Sequence, residues 1–295
     1  EQDENLIVLS GDLAGSTRVH WFKEKYPERY IEAGVAEQNM ATVASGLANY
    51  GKNPFITSFG VFSPGRNYDQ IRTTIALNDV PVKIASTHTG VSVGPDGATH
   101  QALEDISLMR SLPGMRVIQP ADALEAQKAV IEASKLKKPI YLRFTRMETP
   151  VFTTSESPFE IGRAQVLYEP QGAQTALVAC GHMVHKALLA AKELSDEGIE
   201  VMVINSHTIK PLDESTILYG AEQTGALVSI EEHQKNGGLG SAISETVAQR
   251  SPVPMEFVAV DDRFGQSGQP EELLEHYGLD INSIKDKVRR VISKK

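Results

Sequence analysis

The chain has 295 residues, 41% hydrophobic and 23% charged, enough for about two domains of roughly 100–200 residues that each bury a core. Acidic residues outnumber basic ones 38 to 29, a formal net charge of −9. The basic residues concentrate only at 135–138 and 285–295, where they read as solvated helix ends, so neither nucleic acid nor an anionic membrane is an expected partner. The one cysteine, Cys180, excludes an internal disulfide and reads as a small core residue in an apolar strand. No run approaches the ~18 apolar residues of a membrane span, and no basic-then-apolar leader opens the chain, so the expected compartment is the cytoplasm.

Short β-branched runs alternate with longer stretches of helical period, which predicts mostly parallel sheets covered by helices on both faces. In the first half, strands are expected at 6–9, 54–58, 80–86, 115–119 and 140–144. Helices are expected between them at 35–50, 67–75, 101–111 and 121–136. At 148–158 periodicity gives way to Pro, Ser and Thr, the composition of an exposed connection. A second alternation follows, with strands at 175–180, 200–205, 226–231 and 255–260 and helices at 185–196, 214–223, 241–250 and 283–292. The expected organisation is two three-layer α/β/α domains, 1–150 and 160–295. Right-handed crossovers put the carboxyl ends of the strands on one edge, where open α/β sheets bind ligands.

Several polar and aromatic residues fall on that edge. Glu37 opens the 35–50 helix, where a first-turn carboxylate suits the helix dipole and the plain alternative is a charge facing water. Phe59 and Phe62 follow a strand end, placed either as core or to clamp a flat heterocycle by stacking. From His88 to His100 the chain carries two imidazoles around Gly94-Pro95-Asp96-Gly97-Ala98, a tight loop whose backbone can approach a ligand closely. Two histidines with Asp96 between them suggest hydroxyl recognition and proton handling. With no second cysteine, and the two histidines twelve positions apart, no common zinc spacing is met and no metal site is expected in this chain. Arg143 and Arg146 point toward the same edge, open to a phosphate or to a salt bridge at the domain boundary. The turn Ser10-Gly11-Asp12-Leu13-Ala14-Gly15-Ser16-Thr17-Arg18 offers hydroxyls and a basic residue. Gly237-Gly238-Leu239-Gly240 lacks the Gly-x-Gly-x-x-Gly spacing of a dinucleotide loop and reads as close helix packing.

Taken in order, several stretches resemble the transketolase family. They are Gly34-Val35-Ala36-Glu37-Gln38-Asn39-Met40, the Phe59/Phe62 segment ending Asn67-Tyr68-Asp69-Gln70-Ile71-Arg72, and Gly94-Pro95-Asp96-Gly97-Ala98-Thr99-His100-Gln101. Arg110-Ser111-Leu112-Pro113-Gly114-Met115 and Gln119-Pro120-Ala121-Asp122 continue the match, which covers essentially the whole chain. A full transketolase begins with a diphosphate-binding domain carrying a Gly-Asp-Gly metal motif, and no Gly-Asp-Gly occurs here, since Leu13 follows Gly11-Asp12. The chain therefore resembles the small, carboxyl-terminal subunit of a split transketolase, with native residues expected to be missing at its amino end.

The resemblance implies two-carbon ketol transfer from a ketose phosphate to an aldose phosphate with thiamine diphosphate, in pentose phosphate metabolism. It implies a partner, the diphosphate-binding N-terminal subunit, which holds the divalent metal (Mg or Ca), and self-association into a dimer within a heterotetramer. Glu37 matches the glutamate that bonds the aminopyrimidine ring nitrogen; Phe62 stacks on that ring, Phe59 completes the pocket, and Asp12 matches an aspartate near the cofactor. His88, Asp96 and His100 match hydroxyl-recognising residues, His100 also a catalytic one, and Ser16 and Arg146 match those that hold the sugar phosphate. Gln38 stands where many members have histidine. Rival readings are a deoxyxylulose-phosphate synthase, the beta chain of the pyruvate dehydrogenase first component, a transketolase for pentuloses or sulfo-sugars, and a catalytically silent scaffold or regulatory subunit.

Overall fold

A computed structural model describes residues 3–295, which form two mostly parallel α/β sheets with helices packed on them. In chain order the elements of the first half are β1 (Leu6–Ser10), α1 (His20–Lys25), β2 (Tyr30–Glu32), α2 (Glu37–Asn49), β3 (Asn53–Phe59), α3 (Tyr68–Gln70), β4 (Lys83–Thr87), α4 (Asp105–Arg110), β5 (Arg116–Ile118), α5 (Ala123–Lys135) and β6 (Ile140–Arg143). The second half carries β7 (Gln165–Tyr168), β8 (Thr175–Ala179), α6 (Met183–Asp196), β9 (Val201–Asn205), β10 (Thr208–Lys210), α7 (Glu214–Thr224), β11 (Leu227–Gln234), α8 (Leu239–Arg250), β12 (Met255–Val260), α9 (Pro270–His276) and α10 (Ile281–Ile292).

The first sheet runs β10-β5-β6-β4-β3-β1-β2 and the second β12-β11-β8-β9-β7. All pairings are parallel except the edges β10 on β5 and β7 on β9. Alternation along each strand feeds two separate layers, as a sheet buried on both faces requires. Leu9, Ile56 and Ile84 pack with Met40, Ala41 and Ala44 of α2, while Val8, Phe55 and Leu142 pack with Ala129 and Ala133 of α5. Each fully buried Leu or Ile contributes about 1.5–3 kcal/mol. The first of these cores continues into Val178, Met202, Ile204 and Leu239, so both halves share one apolar interior.

The short elements depart from the sequence expectation. β2, β7 and β10 are three or four residues long and lie at sheet edges, where no alternation long enough to detect builds up. β10 belongs to the second half of the chain yet extends the first sheet, so the two halves interlock. The helix expected at 101–111 is confined to Asp105–Arg110, because Ala102 bridges to Thr89 and holds the preceding residues extended. After α3 the chain continues as a π-helical turn, Ile71–Ala76. Gly237-Gly238-Leu239-Gly240 does bring a helix close: a Cβ on Gly240 would press on Ser229 and the Phe257 ring. The backbone N–H groups of Leu239 and Gly240 each donate to the buried Glu231 carboxyl group at 2.8 Å, so the start of α8 satisfies an internal acid whose pKa burial raises to about 7.

Candidate active site

The site assembles at the carboxyl ends of β1, β3, β4 and β6, adjacent strands in the sheet order. α2 begins at Glu37 with no side-chain cap at Ala36, so the first-turn N–H groups and the carboxylate share one end of the helix. Glu37 does not face water: it is 1% exposed. Its Oε2 accepts from Arg66 Nη1 at 2.7 Å, its carbonyl accepts from Asn67 Nδ2 at 3.1 Å, and Oε1 is buried with no partner. Gly11, in the loop after β1, lies directly against this carboxylate, and a Cβ there would sit 3.7 Å from Oε1.

Arg66 also lies over Phe62, its Cζ 4.5 Å from the ring centroid, and so links Glu37 to a cluster of four rings. Phe59 ends β3 opposite Thr87 of β4, which brings its ring onto His88 at 3.8 Å between centroids, stacked at 22°. Phe62 lies one turn further on, stacked with Phe59 at 6.0 Å, and His100 meets Phe62 edge-on at 5.4 Å. Phe59 is buried and Phe62 half-buried, and together they form a wall shared with both imidazoles.

The loop between the histidines is pinned from below. Gly90 donates to the carbonyl of Ala102, and Gln101 Nε2 donates to the carbonyls of Val91 at 2.9 Å and Gln266 at 3.0 Å. Gly94 and Gly97, both at positive φ, lie against Pro270 and Ser267 at and just before the start of α9, which packs the loop against the second half. Gly90 has φ +84°, and a Cβ there would overlap the Glu232 carboxylate, which itself accepts from Ser92 N at 2.6 Å. Gly90→Ala is expected to cost about 2–5 kcal/mol, strain plus overlap. Gly51→Ala, at φ +83° with open space around it, isolates the strain alone. Comparing the two by thermal denaturation checks this, and equal losses would show that the Glu232 contact is unimportant.

His88 is buried, with φ +55°, and its Nδ1 lies 2.9 Å from Thr87 Oγ1. Burial first, then the positive charge of Arg146, lowers its pKa to about 4, with Asp96 opposing. The imidazole is therefore neutral at pH 7, able both to donate and to accept hydrogen bonds from hydroxyls. Because folding depresses this pKa below the ordinary 6.5, protonation of the unfolded chain favours unfolding progressively as pH falls from about 6.5 to about 4. An NMR titration should find the His88 midpoint near 4, and a midpoint near 6.5 would contradict the burial described here.

Arg146 is exposed on the segment after β6 and reaches back to the carbonyl of Val93 at 2.6 Å, while Asp96 is exposed on the loop itself. Asp12 and Ser16 are both exposed on the loop after β1 and lie outside the ring cluster. The Asp12 N–H donates to Glu32 Oε1 at 2.8 Å, and Gly34 N donates to the same oxygen at 3.1 Å, tying that loop to the turn before Glu37. Arg143 is placed differently from Arg146. It is fully buried, gripping Asp105 of the same half through Nε at 2.7 Å and Nη2 at 3.2 Å; what it extends to the second half is a hydrogen bond to the Glu232 carbonyl at 3.1 Å, not a salt bridge. Cys180 is buried just past β8, its Sγ 3.3 Å from Gln119 Oε1. No group of three or more potential metal ligands occurs among the described residues, and no helix there is long and apolar enough to cross a membrane.

Arg66 was not singled out from the sequence, and Asn67 was named only within a matching stretch, with no role. The available signal was a cation four positions after Phe62, one helical turn away, with Pro64-Gly65 between them.

Known families match this arrangement. The transketolase pyrimidine binding domain matches residues 1–151 and the transketolase C-terminal domain matches residues 162–284. The chain belongs to the transketolase family. It is 39% identical over 294 residues to a protein of Methanocaldococcus jannaschii named as a transketolase C-terminal section, covering 99% of this chain and 92% of that one. It is 37% identical to the 6-deoxy-6-sulfo-D-fructose transketolase subunit SqwH of a Clostridium species, covering 100% and 91%. A solved structure described as a split gene transketolase, inactive beta4 tetramer, superposes with a TM-score of 0.92 at 41% identity, covering 99% of this chain and 93% of that one.

Proposed function

We propose that this chain is the small subunit of a split transketolase. It would transfer a two-carbon ketol unit from a ketose phosphate to an aldose phosphate, with thiamine diphosphate bound across the contact with a second polypeptide. That partner would grip the diphosphate through a divalent metal, two copies of each subunit forming a heterotetramer in the cytoplasm. Residues 1–150 would serve as the pyrimidine-binding domain and 160–295 as the carboxyl-terminal domain.

The observation that carries this reading is Glu37 Oε1: a buried carboxylate oxygen without a partner, linked through Arg66 to a wall of aromatic rings. An orphaned buried acceptor is costly, about 1–3 kcal/mol or more when charged, and a ligand that donates to it removes that cost. A protonated or hydrogen-bearing ring nitrogen of an aminopyrimidine suits both the oxygen and the neighbouring Phe62 face, so the residues fit the group.

When bound, the coenzyme supplies the nucleophilic carbon and the electron sink for cleaving the bond next to a ketose carbonyl. Glu37 would hold the ring nitrogen and share a proton with it, Phe62 would stack on the ring, and Phe59 would close the pocket. Asp12, beside Gly11 on the loop that borders Glu37, would lie near the coenzyme. Neutral His88, Asp96 and His100 would bind sugar hydroxyls from the clamped loop, and His100 would also carry protons to and from the reacting oxygen. Ser16 and Arg146, exposed at the mouth, would take the phosphate.

The match to a sulfofructose transketolase subunit over 91% of its length supports a second donor class, a sulfonated ketose, whose anionic end Arg146 could equally bind. Assaying the chain with its partner subunit against phosphorylated and sulfonated ketoses, and identifying products by mass spectrometry, separates these donors. Release of an aldose two carbons shorter supports ketol transfer; absence of transfer with any ketose would favour the scaffold reading.

A further inference from the structure

Arg66 is the member of the cluster that the proposed chemistry leaves without a role. Its Nη1 donates to Glu37 Oε2 at 2.7 Å, and its Cζ lies 4.5 Å from the centroid of the Phe62 ring. These are the two groups assigned above to the aminopyrimidine. A guanidinium is itself planar, delocalised and rich in N–H donors, so one group can meet a carboxylate along its edge and an aromatic ring across its face. Phe59 and Phe62 are stacked at 6.0 Å, less than the roughly 7 Å that a third ring between them needs at ordinary carbon contacts. Arg66 lies over the Phe62 ring and so competes for stacking on it.

We propose that Arg66 is a stand-in for the aminopyrimidine: it neutralises Glu37 and covers Phe62 while the subunit is alone, and swings into solvent when the coenzyme arrives. The inference rests on the coenzyme reading above. Its physical logic is that an unpaired carboxylate at 1% exposure is strongly destabilising, so a subunit that folds before meeting its partner needs a temporary counter-ion. Arg66 is 45% exposed, so it has a path to water that Glu37 lacks. The cost falls on the coenzyme, which bonds the other carboxylate oxygen, Oε1, but has to move the guanidinium off the Phe62 ring to stack there.

The test is thiamine diphosphate affinity in the complex of this chain with its partner subunit, by calorimetry, for wild type, Arg66→Lys and Arg66→Met. Arg66→Met should bind about 3- to 30-fold tighter, with Arg66→Lys between. The free Arg66→Met chain should melt below wild type, and Glu37→Gln in that background should restore part of the loss. Weaker or unchanged coenzyme binding by Arg66→Met would overturn the proposal, since Arg66 would then hold Glu37 in place with the coenzyme present. A second measurement needs no variant: phenylglyoxal modification of Arg66, mapped by mass spectrometry, should speed up when thiamine diphosphate binds the wild-type complex. An unchanged or slower rate would overturn the stand-in role. If the wild-type complex binds no thiamine diphosphate at all, the coenzyme reading itself fails and this inference with it.

Discussion

Glu37→Gln in the assembled enzyme should lower turnover by about 10²–10⁴-fold, the range typical of losing a group that handles protons in the reaction. The substitution keeps the size and a carbonyl-type acceptor but removes the charge and the shared proton. Assembly should be unaffected, because Glu37 is enclosed by its own chain, between Gly11, Arg66 and Asn67. Steady-state rates with saturating coenzyme, together with size measurement of the complex, check both halves of this expectation. Unchanged turnover would remove Glu37 from the chemistry and favour a scaffold.

The second large effect concerns stability. Arg143→Met should destabilise the fold by about 3–5 kcal/mol, the loss expected when one member of a buried ion pair is removed. Both members are out of reach of water, Arg143 at 0% and Asp105 at 1% exposure. Burial alone would push the Asp105 carboxyl up, but the charge and hydrogen bonds of Arg143 and the 2.6 Å bond from Tyr141 pull it below the usual carboxylate range. Arg143 Nη2 also donates to the carbonyls of Ala102 and Glu232, joining the base of the histidine loop to β11 of the second half. Loss of stability should therefore come with looser sugar binding. Arg143→Met/Asp105→Asn should recover part of the stability, since no charge is then left uncompensated. Chemical denaturation measures it, and a loss below about 1 kcal/mol would show that the boundary does not depend on this pair.

The long elements were legible because their apolar period is driven by burial on both sheet faces. Leu9, Ile56 and Ile84 on one side and Val8, Phe55 and Leu142 on the other are what β-branched and aliphatic runs predict. Tyr30–Glu32 and Thr208–Lys210 were not legible: three residues carry no period, and β10 joins a sheet whose other strands lie far upstream. In the site, the sequence placed Phe59, Phe62, His88 and His100 on one edge, and the structure brings those four rings together. The plain alternative for Glu37, a solvated first-turn charge, rested on helix position alone and missed Gly11, which closes over the carboxylate from another loop. Arg66 was invisible for a related reason. Its partner lies 29 positions upstream, so the pair exists only once α2 and the segment after β3 have packed. Arg143 and Arg146, three apart, looked equivalent in sequence, yet one ends a buried strand and the other sits exposed just beyond it.

The central claim is that this chain holds only the pyrimidine side of the coenzyme and that another polypeptide supplies the rest. Titrating thiamine diphosphate by calorimetry into the chain alone, and into the chain mixed with its diphosphate-binding partner, tests it most directly. The account predicts no saturable binding at micromolar coenzyme to the chain alone and one coenzyme per pair of subunits in the mixture. Tight binding and ketol transfer by the isolated chain would contradict it.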